Sequence, residues 1–166
     1  MQSLFNQIDN LCDGAPEVDE FAMWRAVLSL VHVDDEIAEL EEYLVQSITQ
    51  VFKFSGAQLK KVEEDMRVKP DSKSLFSEIE GQIYRAQFFR LARIFIWCDG
   101  ILHEDELAVV DEIKDGLGDE VVRYEADLRW MNRKPDLPMG ETAQVPEEEI
   151  MKQIIYQMIS FYEEQE

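Results

Sequence analysis

Residues 87–113 read QFFRLARIFIWCDGILHEDELAVVDEI, and this stretch decides the fold. Its first half keeps an apolar, aromatic helical pattern as far as Trp97. The pattern breaks at Asp99-Gly100, turns on two hydrophobic residues and restarts as an acidic helix at His103. Sixty-five positions earlier the chain carries the same arrangement: residues 22–48 set Asp34, Asp35, Ile37 and Glu41 where Asp99, Gly100, Leu102 and Glu106 stand later, and Arg25 falls on Arg90. In each copy an arginine is followed nine positions on by an aspartate, with a hydrophobic residue three beyond it and a glutamate seven beyond it. Such self-similarity predicts a duplicated helix-turn-helix with an acidic corner in each half.

The 166 residues, 46% of them hydrophobic and 10% aromatic, suffice for one domain with a substantial core. Alternating β-branched runs bounded by turns are missing, so a single all-α domain of about eight helices is expected over residues 1–166. Acidic residues outnumber basic ones 36 to 16, a formal charge of -20. That charge repels nucleic-acid phosphates and anionic lipid, and it attracts cations and basic protein faces. Cys12 and Cys98 are too few for a disulfide framework, the N-terminal MQSLFNQIDN has no signal-peptide pattern, and Arg90 and Arg93 interrupt the most apolar helix. A reduced, cytoplasmic protein without membrane insertion is expected.

Taken in order, Leu4, Phe5, Ile8, Leu11 and Cys12 predict a first amphipathic helix over 3–12, and Phe21, Trp24, Val27, Leu28 and Val31 a second running to the Asp34-Asp35 corner. A long helix follows over 36–54. Ser55 with Gln58 reads as a capping box opening a helix that stops before Lys69-Pro70. A helix start lies within 71–77, and Ile79, Ile83, Phe88, Leu91, Ile94, Phe95 and Trp97 carry helix to the second corner. After Gly116 and Gly118, Asp119 caps a helix presenting Val121, Val122, Tyr124, Leu128 and Trp130. Residues 131–145 form a long loop, and 146–165 a final amphipathic helix whose stripe docks on its own domain or is offered to a partner.

The corner Asp99-Gly100-Ile101-Leu102-His103-Glu104-Asp105-Glu106, with its earlier copy Asp34-Asp35-Glu36-Ile37-Ala38-Glu39-Leu40-Glu41, resembles the TerB-like family of tellurite-resistance and stress-response proteins. The hallmark of that family is an apolar helix running into Asp-Gly-x-Ile-x-x-x-Glu. The first copy departs from it in carrying Asp where Gly is the rule, and the resemblance spans about residues 20–115. It implies an all-helical domain with internal pseudo-symmetry, an acidic site for a divalent metal, and a place in cytoplasmic or membrane-associated stress complexes.

Two readings of the corners follow. Carboxylates about 4 Å apart repel by about 4 kcal/mol at intermediate dielectric, so Asp34, Glu41, Asp99 and Glu106, gathered by pseudo-symmetry, are candidate ligands for Ca²⁺, Mg²⁺ or Zn²⁺. Alternatively, the acids serve turns and helix starts, with Arg25 approaching Asp99 and Arg90 approaching Asp34 across antiparallel central helices. Enzymatic motifs are missing: neither His32 nor His103 belongs to a Glu-x-x-His pair, His103-Glu104 lacks a second histidine, and no phosphate loop or serine elbow occurs. The expected function is a non-enzymatic TerB-like stress-response or interaction module whose acidic face binds a divalent cation or a basic protein partner. The alternative is a metal-free, immunity-type inhibitor that blocks a basic partner.

Overall fold

Amphipathic stripes dictate which segments coil and which faces they hide. The computed structural model describes residues 2–33, 38–97, 104–135 and 147–165. Among these the chain forms α1 (Gln2–Leu11), α2 (Val18–Ser29), a 3₁₀ helix (Leu30–Val33), α3 (Ala38–Val51), α4 (Gly56–Val68), α5 (Ser72–Ser77), α6 (Gln82–Ile96), α7 (Glu104–Gly116), a second 3₁₀ helix (Gly118–Tyr124), α8 (Glu125–Leu128) and α9 (Glu147–Gln165). No strand occurs among the described residues, and the fold is all-α.

The two repeat helices, α2 and α6, pack directly against each other at the centre. Trp24, Met23 and Val27 of α2 and Phe88, Phe89 and Leu91 of α6 are fully buried in one continuous core. Aromatic contacts spread outward from them: Trp24 stacks on Phe52 at 4.8 Å between ring centres, Phe76 meets Phe88 at 5.0 Å, and Phe89 meets Tyr124 at 5.5 Å. Gln87 on α6 is a fully buried polar side chain within this core. It is satisfied by Gln157 of α9, donating to the Gln157 main-chain carbonyl at 3.3 Å and accepting from the Gln157 side-chain amide at 3.2 Å.

The final helix docks on its own domain. α9 packs on α1, α3 and α6 and buries Ile150, Met151, Ile154, Ile155, Met158, Ile159 and Phe161.

The second helix, expected to run to the Asp34-Asp35 corner, ends as α2 at Ser29 and tightens into the 3₁₀ helix Leu30–Val33, and three further boundaries depart from the sequence reading. The helix expected to reach Phe54 ends at Val51, because Lys53 turns left-handed at φ 58°. Phe54 N–H then reaches the Thr49 carbonyl at 3.0 Å and Lys53 N–H the Gln50 carbonyl at 3.3 Å, closing a Schellman motif that also buries Phe54. The expected start of that helix, residues 36 and 37, lies outside the described residues. The capping box follows directly: Ser55 Oγ accepts from Gln58 N–H at 3.2 Å while the Gln58 side chain accepts from Ser55 N–H at 3.0 Å.

The stretch read as one helix from 71–77 through Ile79 and Ile83 is instead two, α5 and α6, which raises the count to nine α-helices among the described residues. Between them Glu80 N–H and Gly81 N–H both donate to the Asp19 carboxylate, each at 2.8 Å. Asp19 thus caps α6 from α2, and Ile83 is left 53% exposed while Ile79 is buried. A Cβ on Gly81 would lie 2.6 Å from Asp19 Oδ2. Gly81→Ala is therefore expected to displace the carboxylate and cost about 2 kcal/mol, the loss of bonds to a charged acceptor. Urea unfolding checks it, and adding Asp19→Ala to that variant should cost little more if the two share one interaction.

The helix expected from Asp119 to Trp130 is a 3₁₀ helix followed by the single turn of α8, and Asp119 does not cap it. Three residues per turn carry side chains off a 3.6-residue stripe, so Tyr124 is buried while Val122 is 64% and Trp130 43% exposed. Of the loop expected at 131–145, residues 136–145 lie outside the described residues. Met131 is buried, and its carbonyl accepts from the Trp97 indole at 3.1 Å.

Candidate functional site

The four corner carboxylates fall in different circumstances. Asp34 and Asp99 lie outside the described residues, as do Asp35, Glu36 and His103. Glu41 stands half-exposed on α3, on the wall of a groove that α3 forms with α4. Glu106, in the first turn of α7, is only 4% exposed. α7 packs on α5, on α6 and on the 3₁₀ helix Leu30–Val33, so the helix after the second corner lies against the end of the first half's central helix. Among the described residues no group of three or more His, Cys, Asp or Glu side chains is placed to hold a metal ion.

The pairings expected of the two repeat arginines with Asp99 and Asp34 lie outside the described residues, within which both arginines have other partners. Arg25 binds Asp65 of α4 through Nε at 2.7 Å and Nη2 at 3.0 Å, and binds Glu78 through Nη1 at 2.8 Å. Arg90 binds Asp127 of α8 through Nε at 2.7 Å and Glu164 of α9 through Nη1 at 3.5 Å. Among the described residues the two guanidinium groups thus tie the central helices to α4, α8 and α9. In both halves the repeat arginine joins a largely covered aspartate through Nε and an exposed glutamate through Nη1. The two-pronged bond to Asp65, aided by the charges of Asp65 and Glu78, outweighs the opposing effect of burial and leaves the Arg25 guanidinium above its ordinary range.

A second polar cluster ties α9 to the N-terminal half. Glu20 of α2, 7% exposed, accepts a short hydrogen bond from the Tyr162 hydroxyl. Burial pushes the Glu20 carboxyl above the usual carboxylate range, although the Tyr162 hydroxyl and the nearby Trp24 indole N–H both favour its charged form. The Trp24 N–H approaches without closing a hydrogen bond. Tyr84 is pushed up to about 12 by burial and by Glu20, Glu17 and Asp19, and Tyr162 is raised by burial and Glu20.

Cys12 lies beside this cluster, its thiol donating to the Gly14 carbonyl at 3.3 Å and raised by burial and by Glu20. A raised thiol is a poor nucleophile at neutral pH. Cys98 lies outside the described residues.

Because the folded-state pKa of Glu20 is above its unfolded value, the folded protein binds this proton more tightly. Stability from this group is complete below about pH 4.5 and is lost as pH rises through the folded value. Glu20→Gln is therefore expected to remove that falling limb from the stability–pH curve and to be more stable than the parent at pH 7. It should also lower the Tyr84 midpoint from about 12 toward 10, because Glu20 is among the causes that raise it. Urea unfolding across pH and absorbance titration of tyrosine check the two outcomes.

Sequence spacing missed Asp65, Asp127 and Asp19, whose importance arises from contacts between distant segments. Glu20 did leave a signal: an acid four positions before Trp24, on the helix face that Trp24 and Val27 carry into the core.

The fold and these clusters define an all-α acidic protein with a single core and, among the described residues, no helix long and apolar enough to cross a membrane. The chain matches no family model, no curated protein and no solved structure.

Proposed function

We propose that this protein is a non-enzymatic interaction module, TerB-like in its repeated helix, corner and helix, whose acidic surface captures a basic protein partner. Shifted by sixty-five positions, α2 and α3 fall within two residues of the bounds of α6 and α7, which supports the TerB-like comparison. On that reading the module serves a stress-response assembly.

The observation that carries the capture reading is where the charges lie. Arg25, Arg85, Arg90 and Lys53 are drawn into internal ion pairs, while acids at the starts of helices stand in solvent: Glu39 and Glu42 of α3, Glu104 and Asp105 of α7, and Glu147 and Glu148 of α9. Acids suit the positive end of each helix dipole, so their placement costs the fold nothing. Outward they give a negative field that accelerates encounter with a basic face and weakens as salt rises.

Capture on the immobilised full chain at rising sodium chloride, with and without a chelator, tests this. A basic protein released by salt and indifferent to chelator is the expected result. Retention that resists salt would overturn the electrostatic reading, and retention lost with chelator would return the divalent-cation reading of the corners.

A further inference from the structure

The left-handed turn at Lys53 and the capping box at Ser55 fix the direction in which α4 leaves α3, and the two helices diverge. Between them lies a groove of about 480 Å³. Its apolar surface includes Val45 of α3 and Leu59 and Met66 of α4, and its rim carries Glu41, Glu42 and Glu63. Leu59 is 39% exposed, large for a leucine on the inward stripe of a helix. The groove continues past Leu59 into a second hollow of about 460 Å³ that ends at Lys53 and Phe54. From Glu41 to Val51 the α3 wall runs about 15 Å, the length of ten residues of docked helix.

An apolar trough bordered by acids matches one kind of ligand. We propose that the α3–α4 groove is the docking site for a basic amphipathic helix of a partner protein, with its apolar stripe in the trough and its lysines or arginines on Glu41, Glu42 and Glu63. The inference rests on the capture reading above and gives it a place. Charge argues against the nearer alternatives. Residues 136–146 of this chain carry Asp136 and Glu141 and no lysine or arginine, and a second copy brings a net charge of -20 to an acidic rim.

The test uses the full chain and three labelled sixteen-residue peptides followed by fluorescence anisotropy. The first is built of leucine and lysine with leucines at i, i+3, i+4 and i+7, the second is its scramble, and the third replaces lysine by glutamate. The first is expected to bind at least tenfold more tightly than the scramble, and the third not to bind. Leu59→Asp and, separately, the double variant Glu42→Lys with Glu63→Lys are each expected to weaken the first peptide at least tenfold. The charge reversals lie at exposed positions, so they remain informative if Leu59→Asp perturbs folding. Equal binding of the first peptide and its scramble, unaffected by these variants, would overturn the groove and leave charge-driven capture standing. Failure of both basic peptides to bind would remove both. A concentration-dependent dimer in sedimentation that Leu59→Asp abolishes would assign the groove to a second copy and overturn the proposal.

Discussion

Arg25→Met is expected to lower the unfolding free energy by about 3–5 kcal/mol, whereas Arg90→Met costs less, about 2 kcal/mol, although the two arginines occupy equivalent repeat positions. The difference follows from the number of bonds each guanidinium makes and from its own burial. The Arg25 and Asp65 side chains are each 12% exposed, so removing the guanidinium leaves a carboxylate desolvated without its two-pronged partner. Arg90 is itself 34% exposed and holds the covered Asp127, 10% exposed, by a single Nε bond, and its second partner Glu164 is 58% exposed, so less is lost with that guanidinium. Converting Asp65 to Leu in the Arg25→Met background should recover most of the stability, because the orphaned charge goes with it. Urea unfolding of the four proteins measures both effects. Equal losses at the two arginines, or no recovery in the double variant, would contradict the burial argument.

Phe161→Ala is expected to cost about 3–5 kcal/mol, the usual range for deleting a buried ring from a core. Phe161 is 1% exposed, with Tyr84 of α6 at 5.2 Å between ring centres and Tyr162 at 5.8 Å. The neighbouring Tyr162 hydroxyl holds Glu20, so a cavity at 161 also loosens the bond between α9 and α2. Thermal unfolding by circular dichroism checks the effect. A final helix offered to a partner would give almost no loss in the isolated protein.

The apolar stripes made the central helices legible from residue spacing. The capping box at Ser55 was legible too, since its chemistry is completed within four residues. The α3 end at Lys53 was hidden because a left-handed lysine leaves no compositional mark where glycine would. The break before α6 was hidden because its cap, Asp19, comes from α2. Equivalence in the repeat also overstated equivalence in space. Glu41 and Glu106 occupy matched positions, yet α3 packs on α1 and α9 while α7 packs on α5 and α6, so one carboxylate borders a groove and the other is covered. Matched sequence positions specify matched helix registers, whereas the environment of a side chain is set by whatever lies across from it.

The most direct measurement is an amide ¹H–¹⁵N spectrum of the labelled protein titrated with the basic amphipathic peptide. Shifts concentrated on residues 41–49 of α3 and 59–66 of α4, fading as sodium chloride is raised, are the result the account predicts. Shifts centred on other helices, or a spectrum that does not change, would contradict it.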